Sequence, residues 1–302
     1  MTVVCCWLDE SYGRKRVTAI ADSRAAVQDA YGRWTPLSDM TTKLHKGRIR
    51  CYELSALNTI DGIWVSPYYE TEIGIAYSGY CFEAISIIAL YQRCLEQLVA
   101  DGDAKPLPNP AELTSMLVEI TKRWYQSPGN GKRSPVDFLL FGFDPADATP
   151  WAAKAAYDVA AGARMTEFSR PLEAGSVYSI GDVGEEKRFR AAVDAIRRRI
   201  AKHAEKVAKR GGFEDLEDRK LEVARHENAD KKSIEQQVLD ELASEFRQTV
   251  GGVLEKAEVI TTDDSSGVVS FSRNDQVHVL DALPLVGKKL MYMPISERMG
   301  WP

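Results

Sequence analysis

The chain begins Met1-Thr2-Val3-Val4-Cys5-Cys6-Trp7, a β-rich run headed by a hydroxyl residue. Methionine aminopeptidases generally remove Met1 before a small residue such as threonine, so we expect Thr2 to become the amino terminus. Its α-amine would have a pKa of roughly 7.7–8.0 and would be partly neutral at physiological pH. The amine can then take the proton of the neighbouring hydroxyl, which makes Thr2 a candidate nucleophile that carries its own base.

Two charged residues further along the chain suit this chemistry. The apolar runs 2–8 and 17–22 flank a polar, glycine-containing turn, a pattern that predicts a β-hairpin with Asp22 beside the start of the first strand. Lys43 follows in Thr42-Lys43-Leu44-His45. Its ammonium would favour the ionised hydroxyl and lower the pKa of the amine. Asp22 would hold Lys43 in place by a charge-assisted hydrogen bond.

A glycine separates a predicted strand from a predicted helix in the next part of the chain. Residues 73–79 read as a strand that ends at Gly79, and 82–98 carry apolar residues at helical spacing. Such a junction exposes backbone N–H groups at a helix amino terminus, where an anionic intermediate can bind.

In this order, the motifs resemble the proteasome β-subunit and HslV-type peptidase family, including bacterial homologues of the Anbu type, within the N-terminal nucleophile hydrolases. The resemblance covers about the first hundred residues and continues more loosely through Ser179-Ile180-Gly181-Asp182. It implies an α+β fold, a four-layer αββα sandwich. The residues that carry it are Thr2, Ala21-Asp22-Ser23-Arg24, Lys43-Leu44-His45 and Ser78-Gly79.

The resemblance also implies an activity and a site. Thr2 would cleave peptide bonds through an acyl-enzyme, with the Gly79 N–H as oxyanion donor and no metal or cofactor. Family members form rings, often double rings, fed by an ATP-dependent unfoldase, so a homo-oligomer that degrades peptides or unfolded proteins is expected. The residues that match the family's substrate strand and first specificity pocket are Arg24, Ala25, Ala26, Tyr77, Ser78 and Cys81.

Two positions depart from the family pattern. Asp182 stands where a Gly-Ser-Gly turn usually carries serine, and a carboxylate there would raise the pKa of the amine. A second supporting aspartate is expected near Gly251-Gly252 and is absent from the sequence there. Two alternatives therefore stay open: a catalytically inactive structural or regulatory subunit that retains Met1, and a small-molecule amidohydrolase of the same superfamily.

Composition narrows the function classes. The net charge of −5 and the mixing of acids with the basic run at 197–199 argue against nucleic-acid binding. The sequence has neither a credible signal peptide nor an apolar run of the roughly 20 residues that a membrane span requires, so we expect a cytoplasmic protein. Cys5 and Cys6 are expected to be packed thiols, and the four histidines have no metal-ligand spacing.

The remaining patterns suggest a single domain over 1–302 with an extended, charged helical pair in about 185–250 and a β-like tail over about 255–302. We expect a loop at 26–41 and a strand pair formed by 43–54 and 58–65. The other predicted helices cover 110–126, 185–210 and 233–249, and the other predicted strands cover 136–143, 151–159, 175–180, 257–261, 268–272 and 277–280.

Overall fold

The computed structural model describes residues 3–9, 15–28, 31, 33–38, 41–58, 63–64, 66–100, 105–127, 136–158, 164–173, 176–181, 191, 254–261 and 266–273. Two helices have both of their ends within the described residues: α1 (Cys81–Leu95) and α2 (Pro110–Gln126). A short 3-10 turn covers Leu54–Ala56. The strands are β1 (Val3–Asp9), β2 (Arg16–Asp22), β3 (Ala25–Gln28), β4 (Trp34–Ser38), β5 (Leu44–Glu53), β6 (Leu57–Asn58), β7 (Ile63–Trp64), β8 (Tyr69–Gly79), β9 (Leu98–Ala100), β10 (Val136–Phe143), β11 (Pro150–Asp158), β12 (Arg164–Pro171), β13 (Val177–Gly181), β14 (Leu254–Thr261) and β15 (Gly267–Arg273).

Two large sheets form the framework of the described residues. One has five strands in the order β13-β1-β2-β14-β15, and the other has six in the order β12-β11-β10-β8-β5-β9. Neighbouring strands are antiparallel except for the parallel pair of β5 and β9. The described part of the chain is therefore a mixed structure, rich in antiparallel sheet, with α1 and α2 as its helices.

The space between the two sheets is filled by alternate residues of their strands. Val4, Cys6 and Leu8 of β1 project into this layer because successive strand side chains point to opposite faces. From the six-stranded sheet, Leu139 and Phe141 of β10 pack against them. The other face of the six-stranded sheet packs against the apolar sides of α1 and α2, so the described part has a helix layer and two sheet layers.

Helix α2 begins where local sequence chemistry places a helix start. The Asn109 side chain accepts a hydrogen bond from the Glu112 backbone N–H, and the Glu112 carboxylate accepts one from the Asn109 N–H. Pro110 occupies the first turn, where its missing N–H has no consequence. This capping box confirms the helix predicted for 110–126.

The structure also confirms several predicted strands. β1 and β2 form the expected antiparallel hairpin, and β10 has the predicted bounds. The strands predicted at 73–79, 151–159, 175–180, 257–261 and 268–272 are present with shifted ends, and the helix predicted for 82–98 is α1.

Two predictions in the first third of the chain were wrong. The stretch 26–41 is not all loop, because β3 and β4 pair within it. Within the described residues, 43–54 do not pair with 58–65: β5 pairs with β8 and β9, whereas β6 and β7 pair with each other. β12 was missed altogether. The strand predicted at 277–280 and the helices predicted for 185–210 and 233–249 lie outside the described residues, apart from residue 191.

None of the helices in the described ranges has the length and the apolar composition needed to cross a bilayer.

Candidate active site

Asp22 is a buried carboxylate at the end of β2, with 1% of its surface exposed. Its Oδ1 accepts hydrogen bonds from the Lys43 ammonium at 3.0 Å and from the Val3 N–H at 3.1 Å. Its Oδ2 accepts a third from the Arg24 N–H at 3.3 Å. These donors satisfy a charge that would otherwise be costly to bury, and they fix the carboxylate beside the first residues of β1.

Lys43 directly precedes β5, and its side chain is completely buried. Its Nζ donates to Asp22 and, at 2.7 Å, to the carbonyl oxygen of Arg24. A lysine held by a carboxylate and a carbonyl has one fixed position, unlike a lysine on the surface. The structure thus brings Asp22 and Lys43 together as the sequence analysis expected, and it adds the Arg24 backbone to the pair.

The start of β1 lies between this ion pair and the end of β13. Val3 is opposite Gly181 in the antiparallel ladder, while its N–H donates to Asp22. That N–H belongs to the peptide bond that joins Val3 to Thr2. Thr2 and Asp182, the residues adjacent in sequence to Val3 and Gly181, lie outside the described residues.

Gly79 is the last residue of β8 and is exposed. Only Tyr80 separates it from Cys81, the first residue of α1. The Gly79 φ of 105° is a backbone conformation that side chains with a Cβ rarely adopt, so glycine is required here. The next residue, Tyr80, is the N-cap of α1 and makes no side-chain capping bond. The strand–glycine–helix junction predicted from the sequence is therefore present.

Tyr77 connects β8 to the segment that carries Lys43. Its N–H donates to the Lys43 carbonyl at 3.3 Å, and its hydroxyl donates to the Thr42 carbonyl at 3.3 Å. Its ring stacks on that of His45, with centroids 5.8 Å apart. Burial raises the pKa of the Tyr77 hydroxyl far above its usual value, and the neighbouring Cys81 thiol raises it further, so the phenol is neutral.

The other predicted substrate-binding residues lie on both sides of this centre. Ala25 and Ala26 are partly exposed in β3, directly after Arg24. Ser78 is buried between Tyr77 and Gly79, where it is opposite Asp137 of β10. Cys81 is partly exposed at the first position of α1.

Sequence reasoning missed Glu255 on β14. Its Oε2 accepts hydrogen bonds from the Lys43 N–H at 2.7 Å and from the Leu44 N–H at 3.3 Å, and only 6% of the residue is exposed. The sequence contains a pattern that points to it, because Glu255, Ala257 and Val259 occupy the alternate positions that face one side of a strand. In the structure all three are buried. A carboxylate on an otherwise apolar strand face is unusual enough to mark a specific role.

The cysteines of β1 are not candidates for the nucleophile. Cys5 and Cys6 are completely buried thiols, as expected. Burial raises the pKa of Cys6 far above its ordinary value, so the reactive thiolate does not form at neutral pH. In the part of the chain that the structure describes, no group of His, Cys, Asp and Glu side chains could hold a metal ion.

Together, the described residues form a buried lysine–carboxylate pair that contacts the peptide bond following Thr2. Such a pair can hold a fixed positive charge beside a hydroxyl nucleophile and bias it toward ionisation. The start of α1, which has no side-chain cap, adds backbone N–H groups near this pair. The Tyr77 N–H bonds to the Lys43 carbonyl, and Gly79 is two residues after Tyr77, so both features lie at the same end of the six-stranded sheet.

Comparison with known proteins finds similarity among solved structures only. The chain is similar to the Anbu protein in a helical assembly of the Anbu complex from Pseudomonas aeruginosa, with 14% identity, a TM-score of 0.45, and coverage of 92% of this chain and 89% of that one. It is also similar to a Gly-1 mutant of Anbu from Hyphomicrobium sp. strain MC1, with 11% identity, a TM-score of 0.47 and coverage of 92% and 88%. Anbu (ancestral beta-subunit) from Yersinia bercovieri has 14% identity, a TM-score of 0.44 and coverage of 92% and 89%. No protein-family model and no curated protein matches the chain.

Proposed function

We propose that this chain is an N-terminal threonine peptidase of the proteasome-like type, with Thr2 as the nucleophile. The observation that carries the proposal is the double role of Asp22, which binds the buried Lys43 ammonium and the N–H of the Thr2–Val3 peptide bond with the same oxygen. An ion pair buried this deeply costs desolvation energy and is weak evidence for stability alone. Its position against residue 3 favours a role at the chain terminus.

The reaction follows from these groups. The Thr2 hydroxyl attacks a peptide carbonyl carbon and passes its proton to its own α-amine, while the Lys43 ammonium stabilises the developing alkoxide. The Gly79 N–H donates to the oxyanion of the tetrahedral intermediate. The α-ammonium returns the proton to the leaving amine as the C–N bond breaks, which leaves an acyl ester on Thr2. Water then hydrolyses the ester and regenerates the hydroxyl.

The substrate proposed is an extended peptide. The backbone at Arg24–Ala26 and at Ser78 would pair with it by strand addition, a mode in which main-chain hydrogen bonds give affinity and pockets give specificity. By the family resemblance, Tyr77 and Cys81 would line the first specificity pocket. A tyrosine at its base, held through its hydroxyl by the Thr42 carbonyl, would leave room only for small side chains.

We also propose that the fold is the four-layer αββα sandwich of N-terminal nucleophile hydrolases. On the face of the five-stranded sheet that points away from the second sheet, the patch formed by Val3, Cys5 and Ile20 is apolar and only 0–1% exposed. A patch of sheet buried this deeply is covered by another part of the chain. The helices predicted from the sequence at 185–250 are the proposed cover, in whole or in part.

Self-association into a ring-shaped homo-oligomer is part of the proposal, as is supply of unfolded chains by an ATP-dependent unfoldase. Enclosure of the site would restrict an endopeptidase of low specificity to unfolded chains. Sedimentation velocity or mass photometry of the purified protein tests the assembly: a closed ring gives one discrete mass, and an inactive monomer contradicts this part of the proposal.

The peptidase proposal is tested by intact-mass analysis before and after exposure to a peptide epoxyketone. We expect loss of Met1 and one adduct per chain, and no adduct in Thr2→Ala. A protein that retains Met1 and takes no adduct would contradict the peptidase function and leave an inactive, structural subunit. A labelled protein that hydrolyses small acyl amides but not peptides would instead be an amidohydrolase.

A further inference from the structure

We propose that Glu255 is a positioning residue for Lys43: its carboxylate holds the main chain of Lys43 so that the ammonium meets Asp22. This inference rests on the proposed function, because it assigns Glu255 to the same site. It adds a residue far away in sequence to a catalytic set that otherwise lies in the first 80 residues and at Asp182.

The geometry of the contact carries the inference. Glu255 is the second residue of β14, opposite Ala21 of β2 in the five-stranded sheet. Its carboxylate crosses to the six-stranded sheet, where one oxygen accepts from both Lys43 and Leu44 at the start of β5. The contact joins residues that are 212 positions apart. It therefore links the two sheets at the point where the chain turns Lys43 toward Asp22.

A packing role alone does not account for a carboxylate here. The next inward-facing residues of β14, Ala257 and Val259, are apolar and completely buried. Burial of a carboxylate costs free energy unless hydrogen bonds compensate it, whereas an apolar residue has no such cost. Glu255 gains its compensation from two backbone amides, and those amides belong to the catalytic lysine and its neighbour.

With Glu255, Lys43 is held at every part of the residue. Glu255 binds its N–H, the Tyr77 N–H binds its carbonyl, and its Nζ binds Asp22 and the Arg24 carbonyl. The Nζ contacts of 3.0 and 2.7 Å leave little tolerance, since a displacement of about 1 Å would break them. Displacements of that size in a catalytic group reduce rates by roughly 100-fold.

The test compares variants of Glu255 that separate reach from charge. Glu255→Gln keeps the length and an acceptor oxygen but removes the charge. Glu255→Asp keeps the charge but shortens the side chain, and Glu255→Leu removes the acceptor. Matched controls are Glu258→Asp and Glu258→Leu on the same strand, because Glu258 binds Arg16 and Lys256 near the surface and not the site.

Each protein is assayed in its assembled form by labelling with a peptide epoxyketone. Intact mass follows the labelling rate over a series of epoxyketone concentrations, which gives the maximal labelling rate and the half-saturating concentration separately. We expect Glu255→Asp and Glu255→Leu to label roughly 10- to 100-fold more slowly at unchanged half-saturation. Glu255→Gln should stay close to the wild-type rate, and both Glu258 variants should match the wild type. Urea midpoints confirm that the compared proteins are folded, and Glu255→Asp and Glu255→Gln suffice if the leucine variant does not fold.

A second readout does not depend on activity. Hydrogen–deuterium exchange of the peptide that covers residues 43–46 should be faster in Glu255→Asp than in Glu255→Gln, because only the longer side chain reaches the two amides.

The inference is wrong if Glu255→Asp matches Glu258→Asp in both the labelling rate and the hydrogen–deuterium exchange. It is also wrong if Glu255→Gln is labelled as slowly as Glu255→Leu, which would assign the effect to charge. A wild-type protein that takes no epoxyketone would overturn the proposed function, and the inference with it. A wild type that is labelled through Thr2 while Glu255→Asp is labelled equally fast would overturn the inference alone.

Discussion

The buried pair of Asp22 and Lys43 makes a quantitative prediction about stability. Lys43→Met removes the ammonium, while the N–H groups of Val3 and Arg24 still donate hydrogen bonds to the Asp22 carboxylate. Asp22→Asn leaves the ammonium facing a neutral amide. Breaking a buried ion pair by removal of one partner costs roughly 3–5 kcal/mol, so each single variant should lose about that much unfolding free energy.

The double variant separates the pair from the other contacts of each residue. Removal of both charges leaves no uncompensated ion, so the loss in the double variant should be about 3 kcal/mol smaller than the sum of the two single losses. That coupling energy is at the upper end of the range for residues in contact, as expected for two groups 3.0 Å apart with 0% and 1% exposure.

The measurement is urea unfolding at one protein concentration, because self-association would make the midpoint depend on concentration. A thermodynamic cycle is built from the wild type, Lys43→Met, Asp22→Asn and the double variant. Single losses below about 1 kcal/mol that add within about 0.5 kcal/mol would refute the reasoning, because the pair would then behave like an exposed surface ion pair.

Three further predictions follow from burial and packing. In the folded protein at pH 8, iodoacetamide should modify the exposed Cys94 but not Cys6, because burial raises the pKa of the Cys6 thiol. Cys6 adducts in the mass spectrum would contradict this prediction. Burial lowers the pKa of His45 below its ordinary 6.5. Below about pH 6.5 the unfolded chain therefore binds a proton that the native state does not, and the free energy of unfolding decreases as the pH is lowered. Urea midpoints at pH 7 and pH 5 should therefore differ less in His45→Gln than in the wild type, and an equal difference would contradict the prediction. Gly74→Ala should cost about 1–3 kcal/mol, because a Cβ there would overlap the Phe141 ring, and addition of Phe141→Leu should recover part of that loss in the same assay.

Local patterns in the sequence predicted most of the described strands, the helices α1 and α2, and the neighbourhood of Asp22. The alternation of apolar residues identified β1, β2 and β10, and the Asn109–Glu112 capping box identified the start of α2. The sequence predicts Asp22 beside the start of β1 because the second strand of a hairpin ends next to the start of the first. The observed hydrogen bond from the Val3 N–H to Asp22 has that geometry.

The sequence could not predict which distant strands pair. Residues 58–65 follow β5 and have strand-like composition, so the sequence predicts that the two stretches pair, whereas β5 pairs with β8 and β9. Strand pairing depends on burial of whole sheet faces and on loop closure, and neither is written in a local window of residues.

The same distinction separates the two parts of the candidate site. Taken alone, the sequence determined which residue types stand at Thr2, Asp22, Lys43 and Gly79, and their resemblance to the motifs of a known family predicted a threonine-nucleophile site. Only the tertiary structure decided that Lys43 is buried against Asp22 and that Glu255, from the other end of the chain, holds its main chain. Periodicity records which face of a strand a side chain occupies, but the partner across the core is chosen when the two sheets pack together.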